Sequence, residues 1–281
     1  MDERSTDETS GGGPATHRYT HGYGASVLQG HRRRTAANSA AHLLPHLLPG
    51  QRLLDVGSGA GTITADLARA VGPERTTALE VTEEAAQLTR AELARQGLAE
   101  VEVLVADAHR LPLPDDSIDV AHAHQVLQHV ADPVGVLAEL RRVVRPGGVI
   151  AVRDAEYPGF RWYPDVPGLD DWLSLYLATA RANGGTPDAG RRLLAWARAA
   201  GLDDVEMTSS TWTYATPGDR AWWADSWAGR ISAGPLAQQI LASGRAAQED
   251  LDRIARAWRG WAENPDASFI VPHGEIIARP R

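Results

Sequence analysis

The chain has 281 residues, 43% of them hydrophobic, and a net charge of −8. That is enough apolar material for one elaborated domain, and the acidic balance argues against a nucleic-acid partner, which calls for a basic face. Cysteine is absent and every basic residue is arginine, so disulfides, thiolate metal sites and catalytic lysines are excluded and no metal is expected.

Residues 1–13 are polar and acidic, unlike a secretory signal. No apolar run approaches the ~20 residues that span a bilayer, so a cytoplasmic chain with no membrane partner is expected. Residues 1–14 lack the apolar side chains to fold and read as a disordered tail. Residues 15–50 read as a helical lid. Its helical pattern starts near Ser26, carries Val27, Leu28, Leu43, Leu44 and Leu47, and ends at Pro49-Gly50.

From residue 51 strands and helices alternate. Residues 52–56 read as a buried strand. Thr62–Val71 reads as a helix with Ile63, Leu67 and Val71 on one face. Strands follow at 75–80, 101–106, 118–123 and 149–153. Thr82 caps one intervening helix and Asp132-Pro133 opens another. This rhythm predicts a doubly wound parallel α/β sheet. After Asp154 come a proline- and aromatic-rich stretch, helices near 169–182 and 187–200, and a strand at 203–210. A helical cap inserted at about 211–267 holds Trp222, Trp223, Trp227, Trp258 and Trp261, and a last strand spans 268–279. These tryptophans glue the cap to the core, with one or two, beside Trp162 or Tyr163, free to line an apolar pocket.

The turn after the first strand reads Asp55-Val56-Gly57-Ser58-Gly59-Ala60-Gly61-Thr62. Its third glycine comes one residue too early for a dinucleotide fingerprint, and a Walker loop needs a lysine. Asp55 would repel a pyrophosphate, whereas a ligand carrying an ammonium and a sulfonium would be drawn to it. Glu80 ends the second strand, where it can accept from ribose hydroxyls. Asp107, with Ala106 and Ala108, follows the third, where it can accept from an adenine amino group. Three carboxylates at consecutive strand ends point to S-adenosylmethionine, with S-adenosylhomocysteine as product.

The stretch LLDVGSGAGTITADLA, the strand-ending Glu80, the pair Ala106-Asp107 and the run DSIDVAHAHQVLQHVADPVGVLAELRRVVRPGG resemble class I S-adenosylmethionine-dependent methyltransferases, most of all the ubiquinone/menaquinone-biosynthesis type. The resemblance covers about residues 50–154. It implies a Rossmann-like seven-stranded sheet with the last strand antiparallel. Many members have Cys-Gly-Pro where this chain has Ser58-Gly59-Ala60. The expected cofactor set is Tyr23, Asp55, Gly57, Ser58, Gly59, Gly61, Thr62, Glu80, Val81, Asp107, Ala108, His124, Gln125 and His129.

Methyl transfer to a hydroxyl benefits from a base. His124 ends the fourth strand, and Gln125, Gln128 and His129 follow at helical spacing. Asp154 ends the fifth strand, where it can pair with His129 and orient it as the base. His122, mid-strand, reads as structural. Tyr19, Tyr23, His31 and Arg34 are candidate lid contacts to the cofactor. The expected activity is O-methylation of a small apolar or aromatic metabolite, of specialised-metabolite or quinone type. C- or N-methylation, a nicotinamide oxidoreductase and a non-catalytic cofactor-binding scaffold are the alternatives. The apolar content of the cap is compatible with a homodimer.

Overall fold

The structure is a computed structural model and describes residues 33–281. The tail at 1–14 and the lid candidates Tyr19, Tyr23 and His31 lie outside the described residues. No helix among those described is long and apolar enough to cross a membrane.

The described strands form one sheet. The strands β1 (Leu53–Val56), β2 (Thr76–Glu80), β3 (Glu102–Val105), β4 (Ile118–His124) and β5 (Val144–Ala155) lie parallel in the order β3-β2-β1-β4-β5. Strand order therefore reverses at β1, between β2 on one side and β4 on the other. The crevice at the carboxyl ends of these strands is where such sheets bind ligands. Antiparallel β8 (Ser268–Arg279) pairs with β5 through Ile150↔Ala278 to Ala155↔His273. Its other edge carries β7 (Asp204–Tyr214), from Asp204↔Arg279 to Tyr214↔Phe269. The antiparallel last strand matches the sequence expectation. The extra, eighth strand is β6 (Arg161–Tyr163), which pairs with Ser268–Ile270 after β5 has left the sheet.

Local chemistry sets the helices. Gly61, with φ +78°, turns the chain from β1 into α2 (Thr62–Val71); a short α1 (Ala36–Ser39) precedes it. Thr82 accepts from the Ala85 amide at 3.2 Å to cap α3 (Glu83–Arg95). Asp132 accepts from Gly135 at 2.9 Å to cap α4 (Pro133–Val143).

The cap differs from expectation, while residues 15–32 of the expected lid lie outside the described residues. Within 33–50 no long helix forms: α1 spans four residues and a 3-10 turn covers Leu44–His46. The helix ends at Ser39, with Ala40 at φ −137°, outside the helical region. Thr211–Tyr214 belong to β7, so the cap helices begin only at Pro217. Gly234-Pro235 and the turn at Gly244 cut the cap into α7 (Pro217–Ala233), α8 (Pro235–Ala242) and α9 (Gln248–Glu263); α6 (Leu193–Ala199) precedes β7.

The cap closes over a second core that also takes in α5 (Pro167–Ala182) and the first residues of β8. Trp172 is its hub. Its ring lies 4.4 Å from Trp227 and 4.9 Å from Trp258, both edge-on, with Phe160, Tyr176 and Phe269 around it. Such pairs add to area burial. Trp172→Ala is expected to cost about 3–5 kcal/mol in a urea melt, and a loss below about 1 kcal/mol would show that the cap does not depend on this hub.

Candidate functional site

Asp55 lies at the reversal point, 2% exposed. It stands beside His122 in the β1–β4 register. Its Oδ1 meets His122 Nδ1 at 2.7 Å and its Oδ2 accepts from Thr64 Oγ1 at 2.5 Å. The acid that the sequence assigns to a ligand is thus also the peg joining β1, β4 and α2. His122, read as structural, is its partner.

The glycine turn above it is tightly shaped. Gly57 has φ +68°, and a Cβ there would lie 2.5 Å from Val126 Cγ2. The Glu80 carboxylate, 6% exposed, accepts from the Gly59 amide and from Ser58 Oγ at 3.4 Å. Burial raises its pKa, opposed by these donors. Asp107 is exposed, and the His109 amide holds its carboxyl below the usual range.

A cavity of about 1020 Å³ opens over these residues. Asp55, Gly57, Ser58, Gly59, Thr62, Glu80, Val81, Asp107, Ala108, His124, Gln125 and His129 all line it, as does Arg34. Gly61 does not; it caps α2 instead. The opposite wall is aromatic: Tyr157, Phe160, Trp212, Tyr214, Trp222, Trp223 and Trp227. Trp212 and Arg230, also in the wall, were invisible to sequence reasoning because the former depends on the β7–β8 register and the latter on the docking of α7.

The expected Asp154–His129 pair does not form. Asp154 is fully buried and is not part of the cavity wall. Its Oδ1 accepts from the Gln128 amide at 3.1 Å, and its Oδ2 has no hydrogen-bond partner. The Gln128 side chain accepts from Ala155 N–H through Oε1, so its Nε2 must donate to His129 Nε2, 3.0 Å away. The His129 lone pair on that nitrogen is thereby used. His273 is fixed in the same way: Gln125 accepts from Arg34 at 2.8 Å and presents its amide nitrogen to His273 Nε2 at 2.9 Å.

His124 is different. It is 6% exposed and lines the cavity, and neither ring nitrogen has a hydrogen-bond partner. Its ring centre lies 5.5 Å from that of Trp212. Burial, then the Arg34 and Arg153 charges, push its pKa well below the usual histidine value, so the ring is neutral.

A parallel α/β sheet, an antiparallel last strand, and a glycine turn flanked by carboxylates at the strand ends define a class I S-adenosylmethionine-dependent methyltransferase. A buried carboxylate facing an open cavity beside close-approach glycines fits a hydroxyl-rich, cationic nucleoside. Comparison with known proteins agrees. The family described as "Methyltransferase domain" matches residues 54–152. The chain is 30% identical over 274 residues to the uncharacterized methyltransferase C1B3.06c of Schizosaccharomyces pombe, covering 92% of this chain and 95% of that one. It is 36% identical over 112 residues to the ubiquinone/menaquinone biosynthesis C-methyltransferase UbiE of Teredinibacter turnerae, covering 39% of this chain and 45% of the relative. The YcgJ protein of Bacillus subtilis shares the fold, with a TM-score of 0.57 at 19% identity, over 86% of this chain and 97% of the other. The chain belongs to the S-adenosylmethionine-dependent methyltransferase family.

Burial pushes the Asp154 carboxyl up to about 7. An unfolded aspartate titrates near 3.9, so between about pH 4 and 7 the folded state holds a proton that the unfolded state lacks, and stability falls as pH rises through that window. Asp154→Asn removes this dependence. Its stability relative to wild type is expected to rise between pH 4 and 8 by on the order of a few kcal/mol in urea melts, with turnover little changed. A pH-independent difference would mean that the carboxyl titrates normally.

Proposed function

We propose that this enzyme transfers a methyl group from S-adenosylmethionine to an oxygen of a small aromatic metabolite. One observation carries the reading. A single cavity is lined by both the glycine-and-carboxylate residues and the aromatic ones, and by His124, whose buried ring nitrogens have no hydrogen-bond partner.

At the first end, Glu80 would take the ribose hydroxyls and Asp107, with Ala108 and Val81, the adenine edge. The backbone at Gly57, Ser58 and Gly59 would approach the ligand closely, with Thr62, Gln125 and His129 around it. Asp55 sets a negative charge beneath the cationic group. Tyr23 stays a proposed lid contact outside the described residues. When bound, the cofactor supplies an activated, electrophilic methyl group. The protein's tasks are then to orient an acceptor and exclude water. The tryptophan wall does both.

Among the three groups expected to act on the acceptor, His124 is the one the geometry favours. Asp154 is walled off, and the lone pair of His129 Nε2 is committed to Gln128. Preference for oxygen over nitrogen or carbon rests on this imidazole. The size of the aromatic end supports a ring-bearing acceptor of specialised-metabolite or quinone type.

The test is incubation with methyl-labelled S-adenosylmethionine and a panel of phenols, anilines and enolisable ketones, with mass spectrometry of the products. Methylated phenols are expected, and products from anilines alone would overturn the oxygen assignment. His124→Gln is expected to lower kcat/KM about 10–100-fold, the usual scale for losing a buried polar partner, with S-adenosylhomocysteine affinity unchanged. Glu80→Gln keeps an oxygen for Gly59 N–H but loses the charge. It is expected to weaken S-adenosylhomocysteine by about 10–100-fold in calorimetry, and unchanged affinity would remove Glu80 from the cofactor site.

A further inference from the structure

The cavity wall holds indoles of two kinds. Trp222, Trp223 and Trp227 stand on α7 and pack with the aromatic interior of the cap. Guanidinium groups lie over two of them, Arg33 4.6 Å from the Trp222 ring centre and Arg230 4.9 Å from that of Trp227. Trp212 stands instead on the sheet, near the end of β7, and is only partly buried.

Three neighbours on three different elements hold the Trp212 ring. Its indole N–H donates to the Asn38 carbonyl on α1 at 2.6 Å. His273 on β8 makes a T-shaped contact with it, ring centres 4.5 Å apart. The Arg153 guanidinium on β5 lies 4.8 Å from its centre. An indole whose N–H is spent and whose ring carries a cation has little freedom to change rotamer.

Arg153 is held in turn. It is 1% exposed and stands opposite Glu275 in the β5–β8 register, while Glu275 stands opposite Thr208 in the β8–β7 register. The three side chains therefore share one face of the sheet. Arg153 Nε donates to Glu275 at 2.9 Å, and Arg153 Nη2 donates to Ser210 Oγ at 3.1 Å. Ser210 Oγ donates to the same carboxylate, as does Thr208 Oγ1 at 3.3 Å. Thr208, Ser210 and Trp212 alternate along β7, so that face carries the indole as well. The three strands are already joined by their backbone ladders. A buried ion pair adds little to that, because the hydration it gives up offsets its attraction. Its distinctive effect is to fix a planar cation against one indole.

We propose that Trp212 is a specificity-determining residue for the acceptor and that Arg153 and Glu275 are its positioning residues. The indole forms a fixed wall, 5.5 Å from the His124 ring, and limits the size of ring that the cavity admits. This rests on the aromatic-acceptor reading above and deepens it by naming the group that limits the ring.

The test compares 2-naphthol with the larger 1-hydroxypyrene in the full-length protein. Binding to the S-adenosylhomocysteine complex is followed by the fluorescence of each probe, and kcat and KM are measured for methylation of both. Trp212→Ala is expected to shift the ratio of affinities toward hydroxypyrene at least about tenfold, with the loss for naphthol falling on KM more than on kcat. Arg153→Lys keeps a charge opposite Glu275 but offers the indole no flat face. It is expected to move the ratio in the same direction by about two- to fivefold, the worth of a cation–π contact. A purely structural ion pair would leave the ratio unmoved. Should urea melts show Arg153→Lys unfolded at the assay temperature, Glu275→Gln takes its place with the same expected shift. An unchanged ratio in Trp212→Ala overturns the specificity role, and so does failure of both probes to bind the wild-type protein. An unchanged ratio in the folded Arg153 or Glu275 variant overturns the positioning role. A binding ratio that shifts as expected while neither probe is methylated would remove the oxygen assignment and leave Trp212 as the limiting wall.

Discussion

A carboxylate removed from water must find its partners within the protein, and much of this structure follows from how Asp55 does so. It bonds to His122 on the neighbouring strand and to Thr64 on the following helix. Three elements are thereby pinned at the point where strand order reverses. The glycine turn grows directly from this anchor, and the Glu80 carboxylate steadies it from the other side through Gly59 and Ser58. Burying an unpaired charge is costly, so the pairing keeps a negative floor under the cavity at tolerable cost. The same carboxylate joins three elements and lines the cavity.

The parts of the site legible in the sequence are those set by local rules. A strand, a glycine turn and a helix in succession place Asp55, Gly57 and Gly59 wherever the sheet lies, and the same holds for Glu80 and Asp107 at their strand ends. What escaped depends on orientation and long-range register. Asp154 ends β5 as expected, but a backbone amide at Gln128 claims it, and the Gln128 side chain claims His129. No spacing rule encodes that exchange. Trp212 reaches the cavity because β7 runs four residues past Ser210 and pairs with Val271.

The two ends of the cavity solve opposite problems. Carboxylates and backbone amides at one end suit a polar cation, and stacked indoles and guanidiniums at the other suit a flat ring. Arg34 touches both worlds, bonded to Gln125 at the strand end and stacked on Trp212 in the wall. An all-arginine chain lends itself to this, because a planar guanidinium lies on an indole face as a lysine ammonium cannot.

Strand β8 belongs to two cores at once. Phe269 and Val271 pack among the cap tryptophans, while Ile276 and Ala278 pack in the main sheet between β5 and β7. The cap is therefore no detachable module. Its aromatic interior and the nucleoside-binding sheet are strung on one continuous backbone, so loosening either end strains the other, and the two are set to melt as a single cooperative unit.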